Sequence, residues 1–394
     1  MTDAVPAGGL RRLLPLALLG LTLSGPGVAE EEVTALQLET PMVSGSQWPG
    51  WGTTIKWVSE RLGLASNGSL TMQTFEPRER VAPFEILDAV STGKVNSGFS
   101  SAGYWAGKLP AAPLFSAVPF GPEAGEFLAW LWYDDGMQLY QEMYDTAGYN
   151  VKVLLCGMLA PESSGWFVKE IRRPEDLAGL NMRFLGLGGK VMQKLGVNTL
   201  ELRGGSVTES LKEKKIAATE FSMPVIDEKL GFHKLARYNY FPGWHQQATT
   251  MELLVNKDTW KSMHPSQQAL LDIICRAATA DSFAYTESIQ AEALRKEQEE
   301  HGVELRYWSD DMLLRFKEAW QEVAEEQAQQ DPFFRKVWQA QDSFRGSYDR
   351  WQRYGFLPRP RPPESARPPA PEREPGPAIE SAAAATPRQP QPSQ

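Results

Sequence analysis

Between residues 33 and 357 the apolar positions follow two periods in alternation. VTALQLET (33–40) alternates at every second residue, as a half-buried strand does. Ile55, Val58 and Leu62 then recur at helical steps and predict a helix around 51–62. LTMQTFE (70–76) predicts a strand, FEILDAVSTGK (84–94) a helix and VNSGFSS (95–101) a short strand. One long helix is predicted over about 123–147, followed by a buried strand in YNVKVLLCGML (149–159). GWFVKE (165–170) and NMRFL (181–185) read as strands. GKVMQKLG reads as a helix stopped by Gly196, and NTLEL as another strand. SVTESLKEKK carries a serine cap with an acidic residue three positions on, and ATEFSM closes the series as a strand.

Repeated strand–helix units predict parallel sheets with ligands at the C-terminal strand edges. There is room for two: one lobe over about 33–150 plus later crossover segments, and a second over about 160–255. A long helix at about 258–300 is expected to join them, with Leu270, Ile273, Ile274, Ala277 and Ala278 as its apolar stripe. Two further helices follow. One carries Phe316, Trp320 and Val323, the other Phe334, Val337, Trp338, Phe344 and Trp351. The expected fold class is a two-lobed α/β clamshell with a long lobe-connecting helix and C-terminal helices, a form that closes on a solute.

The ends read differently. Arg11 and Arg12 precede a short apolar run, LLPLALLGLTL (13–23), and small residues at Gly27 and Ala29. This is the pattern of a secretory signal peptide over 1–29, too short for a lasting membrane anchor, with Sec and twin-arginine export both open. From Pro358 to the end the chain is rich in proline and alanine without apolar periodicity, which predicts a disordered tail. The 394 residues carry a formal charge of −9, which makes nucleic acid an unfavourable partner. An exported chain with two cysteines can pair them. Cys156 ends an apolar strand and Cys275 sits in an apolar helix, so two separately buried thiols are the favoured reading.

Candidate chemistry is sparse. Gly186, Gly188 and Gly189 suggest a phosphate-cradling turn, but Val191 stands where a dinucleotide fingerprint needs its third glycine. A tight strand-to-helix turn is the better reading. Arg183, near the end of a predicted strand, faces either a structural acid or a ligand, and its planar fork matches a carboxylate. Glu220, at another strand end, is a paired acid, a metal ligand or a catalytic group. His233 and His245 lack a metal-binding frame and read as structural, and no G-x-S-x-G elbow supports a hydrolase.

Several blocks in order resemble one known family: AGYWAGKLPAAPLFSAVPFG (102–121), GWFVKEI (165–171), EDLAGLNMRFLGLGGKVMQKLGVNTLEL, AATEFSMPVID and GFHKLARYNYFPGWHQQ. They resemble the extracytoplasmic solute receptors of TRAP transporters, the DctP type. The branch that binds 2-oxo acids, lactate and related monocarboxylates with a metal ion is the nearest. The resemblance spans about 33–357. It implies a periplasmic-binding-protein clamshell in the periplasm that is not an enzyme, with membrane permease subunits as partners. It implies that Arg183 holds the substrate carboxylate. It places the ion and substrate site at Glu162, Glu220 with Phe221, and Gln246. Glu162 stands where Gln is usual and Gln246 where Glu is usual, an exchange that conserves the charge of a shared site. Phe221 replaces a Trp, and Lys214 and Ala217 replace the usual Gly and Asp. Such oxygen ligands suit Ca²⁺ or Na⁺. A drifted pocket that takes another carboxylate without metal is the rival, as is a sensor that feeds a signalling partner. Tyr104 and Trp105 either close over the substrate or pack in the core. The aromatic ridge of the last helix either packs on the lobes or forms a homodimer.

Overall fold

The two periods resolve into two groups of strands that the chain joins by repeated crossings. The structure is a computed structural model that describes residues 33–200, 202 and 204–359. The predicted signal peptide and nearly all of the tail lie outside those residues. The first part runs β1 (Leu36–Pro41), α1 (Gly52–Ala65), β2 (Leu70–Phe75), α2 (Ile86–Ser91), β3 (Ser97–Ser100), α3 (Ala124–Tyr133), α4 (Gly136–Thr146) and β4 (Val151–Leu159). Then come β5 (Gly165–Phe167), β6 (Asn181–Arg183), α5 (Gly186–Lys194), β7 (Asn198–Leu200), α6 (Gly204–Lys212), β8 (Ala218–Thr219), α7 (Pro224–Leu230) and β9 (Tyr238–Phe241). The chain closes with β10 (Thr249–Asn256), α8 (Lys257–Ser262), α9 (Pro265–Glu299), β11 (Glu304–Tyr307), α10 (Asp310–Gln330) and α11 (Pro332–Gly355).

The first lobe holds the parallel pair β1–β2 and the sheet β3-β10-β4, linked by a bridge between Met42 and Phe99. The second holds six strands in the order β11-β9-β5-β8-β6-β7. Only the pair β1–β2 is parallel throughout; the β3-β10-β4 sheet is antiparallel and the six-stranded sheet is mixed, which corrects the expectation of parallel sheets. β10 runs antiparallel to β3 and β4, and β5 antiparallel to β8 and β9. The antiparallel members flank the crossings. β4 leaves the first lobe through 160–164 to become β5, and β9 returns through 242–248 to become β10, so each runs against the strands built by local strand–helix repeats. β10 therefore belongs to the first-lobe sheet, although its sequence position falls within the stretch read as the second lobe.

α9 makes the third crossing. Its 35 residues span about 52 Å at the usual helical rise. Its buried face is Leu271, Ile274, Cys275, Ala278, Thr279, Ser282 and Thr286, whereas Ile273 is exposed. The stripe thus sits about one residue from the predicted register. The shift has a polar cause: Ser282 and Thr286 accept hydrogen bonds from the backbone N–H groups of Met158 and Ala160, which covers the outer edge of β4. Cys275 on the same face is disulfide-bonded to Cys156 of β4. This corrects the reading of two separate thiols: each stands opposite the other on packed elements, and pairing was invisible in the linear pattern.

Two helix boundaries also differ. The predicted helix at 123–147 breaks at Asp134 and Asp135, where Asp134 is extended and Trp130 Nε1 donates to Asp135 Oδ1 at 3.2 Å. Short acidic side chains that bond locally compete with helix continuation. The helix at 258–300 breaks at Met263 and restarts with Pro265 in its first turn. α10 packs on α5 of the second lobe, and α11 returns to α3 and α4 of the first. No helix among the described residues is long and apolar enough to cross a membrane.

Candidate functional site

Neighbouring parallel strands bring the first two groups together. β6 pairs with β8, and Arg183 is the last residue of β6. Glu220 follows β8 directly, and its N–H donates to the Arg183 carbonyl at 3.0 Å. Both side chains therefore emerge at the C-terminal strand edge, where open α/β sheets bind ligands. Arg183 Nη1 donates to Glu220 Oε2 at 2.8 Å and also to the Glu220 main-chain oxygen, and Nε reaches the Leu202 carbonyl at 3.4 Å. The guanidinium carbon lies 4.9 Å from the Phe221 ring centroid, so the phenyl ring walls one face of the cation.

The crossings supply the rest. Glu162 lies between β4 and β5, and His245 and Gln246 between β9 and β10. The two segments are pinned to each other: Glu162 N–H donates to the Gln246 carbonyl at 3.2 Å, and Ser164 N–H to that of Tyr240 at 2.7 Å. Gly243 has to be glycine here, since a Cβ would overlap the Glu162 carbonyl oxygen. Glu162, Arg183, Glu220 and His245 are 5%, 5%, 4% and 4% exposed, so the junction is shut.

Its electrostatics are uneven. Burial pushes the Glu162 carboxyl well above the usual range, the nearby Glu220 and Asp227 push it further, and Arg183 opposes them. Glu162 Oε1 has only a long contact of 3.4 Å to the Ser222 hydroxyl, and Oε2 has no hydrogen-bond partner among the described residues. Burial also raises Glu220, but Arg183, His245 and the Leu185 backbone N–H outweigh it and hold that carboxyl below the usual range. One ligand atom each from Glu162, Glu220 and His245 lies within 4.8 Å of the others. His245 Nε2 is 3.6 Å from Glu220 Oε1, and neither ring nitrogen has a hydrogen-bond partner among the described residues. A buried carboxylate oxygen without a donor is costly, and a hard cation satisfies it directly. The two carboxylates therefore fit a hard cation, and the His245 imidazole is the nitrogen member of the same cluster.

Of the residues singled out in the sequence, Arg183, Glu162, Glu220 and Phe221 meet here. Tyr104, half-buried in a turn after β3, reaches the junction from the first lobe. Burial raises its hydroxyl, and the charges of Arg183 and Glu162 act on it. Trp105 does not line the junction: its indole is fully buried in the first-lobe core and donates to Glu252 Oε1 at 2.7 Å, beside the hydroxyls of Tyr140 and Tyr144. Gln246 turns its amide nitrogen toward Thr249 Oγ1 at 3.4 Å, while its neighbour His245 faces Glu220. His245 was read as structural because it lacks a sequence frame; the hint was its place beside Gln246. The glycine cluster opens α5: a Cβ on Gly188 would overlap the Phe184 ring and crowd His245, a Cβ on Gly189 would press on the Phe184 carbonyl, and Gly186 has a φ of +64° with open space beside it. Lys214 has φ +58°, in the left-handed region, where the resembling family usually carries glycine.

Comparison with known proteins identifies the family and the fold. The family model described as bacterial extracellular solute-binding protein, family 7 (DctP) matches residues 49–331. A monocarboxylate 2-oxoacid-binding periplasmic protein from a Nostoc species is 33% identical over 315 residues, covering 79% of this chain and 86% of that protein. A TRAP transporter solute-binding protein from Bordetella bronchiseptica superposes with a TM-score of 0.78 at 28% identity, over 82% of this chain and 95% of that one. Its structure is a mixed-occupancy dimer with copurified calcium and picolinate in the bound active site. A TRAP periplasmic solute-binding protein from Pseudoalteromonas atlantica, with bound sodium and pyruvate, gives 0.77 at 28% identity, over 82% of this chain and 97% of that one. With a two-lobed fold, a shut interlobe site and a family match over most of its length, the chain belongs to the DctP family of bacterial extracellular solute-binding proteins, the receptors of TRAP transporters.

Proposed function

We propose that this receptor captures a small 2-oxo or 2-hydroxy monocarboxylate between its lobes and delivers it to membrane permease subunits. The observation that carries the reading is the buried Arg183 at the strand edge, beside a carboxylate cluster that fits a cation. Arg183 orients the acid by two parallel hydrogen bonds to its carboxylate. Tyr104 closes from the first lobe and Phe221 forms an apolar wall. Glu162 and Glu220, with Gln246 and Phe221 from the same junction, would hold Ca²⁺ or Na⁺. When bound, the ion would supply positive charge beside the captured acid. The side chains are almost fully buried, so the acid enters only when the lobes part about 160–164 and 242–248, and closure strengthens each contact by excluding water. The role is capture without chemistry, in the periplasm, after removal of the leader near Ala29.

Titration calorimetry of the purified protein with pyruvate, lactate and longer 2-oxo acids tests this. At least one should bind with a Kd in the micromolar range or below. Removing Ca²⁺ and Na⁺ should weaken that acid by about 10- to 100-fold, and restoring either ion should reverse the loss. Equal affinity in both buffers favours the metal-free pocket.

The end of α11 supports a second copy as a further partner. Trp351, Tyr354 and Leu357 are 58%, 87% and 90% exposed, an aromatic and aliphatic ridge left open beyond the buried Phe334 and Val337. The Bordetella relative is also described as a dimer. Light scattering should give a dimer for the native chain and a monomer for Trp351→Glu. A native chain that is monomeric at 100 μM would remove this partner.

A further inference from the structure

Arg183 meets its own protein before it meets a ligand. Its Nη1 is hydrogen-bonded to Glu220 Oε2 at 2.8 Å, with both side chains almost fully buried. An acid captured as proposed above needs that same guanidinium. The other oxygen, Glu220 Oε1, faces His245, and the carboxylate belongs to the candidate cation cluster with Glu162. One carboxylate thus stands under two claims, Arg183 on one side and the cation on the other. Glu162 adds a second acid whose Oε2 has no partner among the described residues. The guanidinium already has the buried Glu220 carboxylate as its partner, so a second carboxylate, brought by the ligand, has to share or displace it.

Resting on the reading that Arg183 receives the acid, we infer that Glu220 is an internal competitor for Arg183, and that a cation releases the fork by taking the Glu220 carboxylate over. Glu220 is then a coupling residue as well as an ion ligand. Acid and ion bind with positive cooperativity, each raising the affinity of the other by the same factor. The receptor holds its acid tightly only where the cation is present, and an empty receptor keeps its cleft cation neutralised against stray anions.

The test is calorimetry with pyruvate in an EDTA-treated, sodium-free buffer. Direct ion–acid contact alone also makes the wild type ion-dependent, so the informative variants are Glu220→Gln and Glu162→Gln. Glu220→Gln removes the competitor. In ion-free buffer it should bind pyruvate about 10-fold or more tighter than the wild type, and adding Ca²⁺ should change its affinity by less than about 3-fold. Glu162→Gln removes a carboxyl from the same cluster that does not touch Arg183, and should gain less than about 3-fold in ion-free buffer. Glu220→Ala should reproduce the gain, with circular dichroism confirming that both Glu220 variants fold. Ion-free Glu220→Gln binding no tighter than the ion-free wild type overturns the inference, as does an equal gain in Glu162→Gln. Failure of the underlying reading looks different: the wild type then binds none of the acids in either buffer.

Discussion

Arg183→Ala is expected to cost about 3–5 kcal/mol of acid binding, on the order of 10²–10³-fold or more in Kd. Truncation leaves the incoming carboxylate without its charged partner at a site where Glu162, Arg183 and Glu220 are each at most 5% exposed. Water cannot replace the guanidinium in a shut junction, and the remaining acids repel the ligand. Arg183→Lys separates charge from shape. It keeps a cation but loses the planar fork and the stacking on Phe221, so an intermediate loss of about 1–3 kcal/mol is expected. Calorimetry at fixed saturating Ca²⁺ reads both. An alanine variant whose Kd stays within threefold of the wild type would mean that the Arg183–Glu220 pair is only structural.

The outline of the site was legible because strand ends are legible. The pattern placed Arg183 and Glu220 at the ends of two strands, and parallel pairing of β6 and β8 sets those ends side by side. The contact between them was not legible, because a sequence does not say which strands are neighbours. The place of His245 beside Glu220 was not legible for a related reason. This residue reaches Glu220 from a crossing segment, and crossings carry no periodicity. The two lobes followed from local strand–helix repeats, but the antiparallel members β5 and β10 did not, since their direction is set by where the chain crosses. Trp105 shows the limit of resemblance: a block matched, and adjacent residues still point to different places, Tyr104 to the junction and Trp105 to Glu252. Lys214 marks the opposite case, where the departure from glycine is visible as a positive φ of 58°.

The disulfide was misread, and its removal carries the second large effect. Cys156 and Cys275 are 119 residues apart, so the bond closes a long loop in the unfolded chain, and loop-closure entropy sets its worth at about 4–5 kcal/mol. Replacing both cysteines by serine is expected to lower stability by about 3–5 kcal/mol and the melting temperature by on the order of 10 °C. Reduction of the wild type should reproduce the shift. Titration of thiols in denatured, unreduced protein checks the premise: two free thiols there would show that the pair does not form. The bond also bears on the site. It fixes α9 against β4 on the face where Ser282 and Thr286 receive the N–H groups of Met158 and Ala160. Ala160 is two residues from Glu162, so the staple holds the first crossing where it enters the junction. Weaker acid binding is therefore expected in the double serine variant well below its melting temperature, and unchanged affinity there would confine the disulfide to stability.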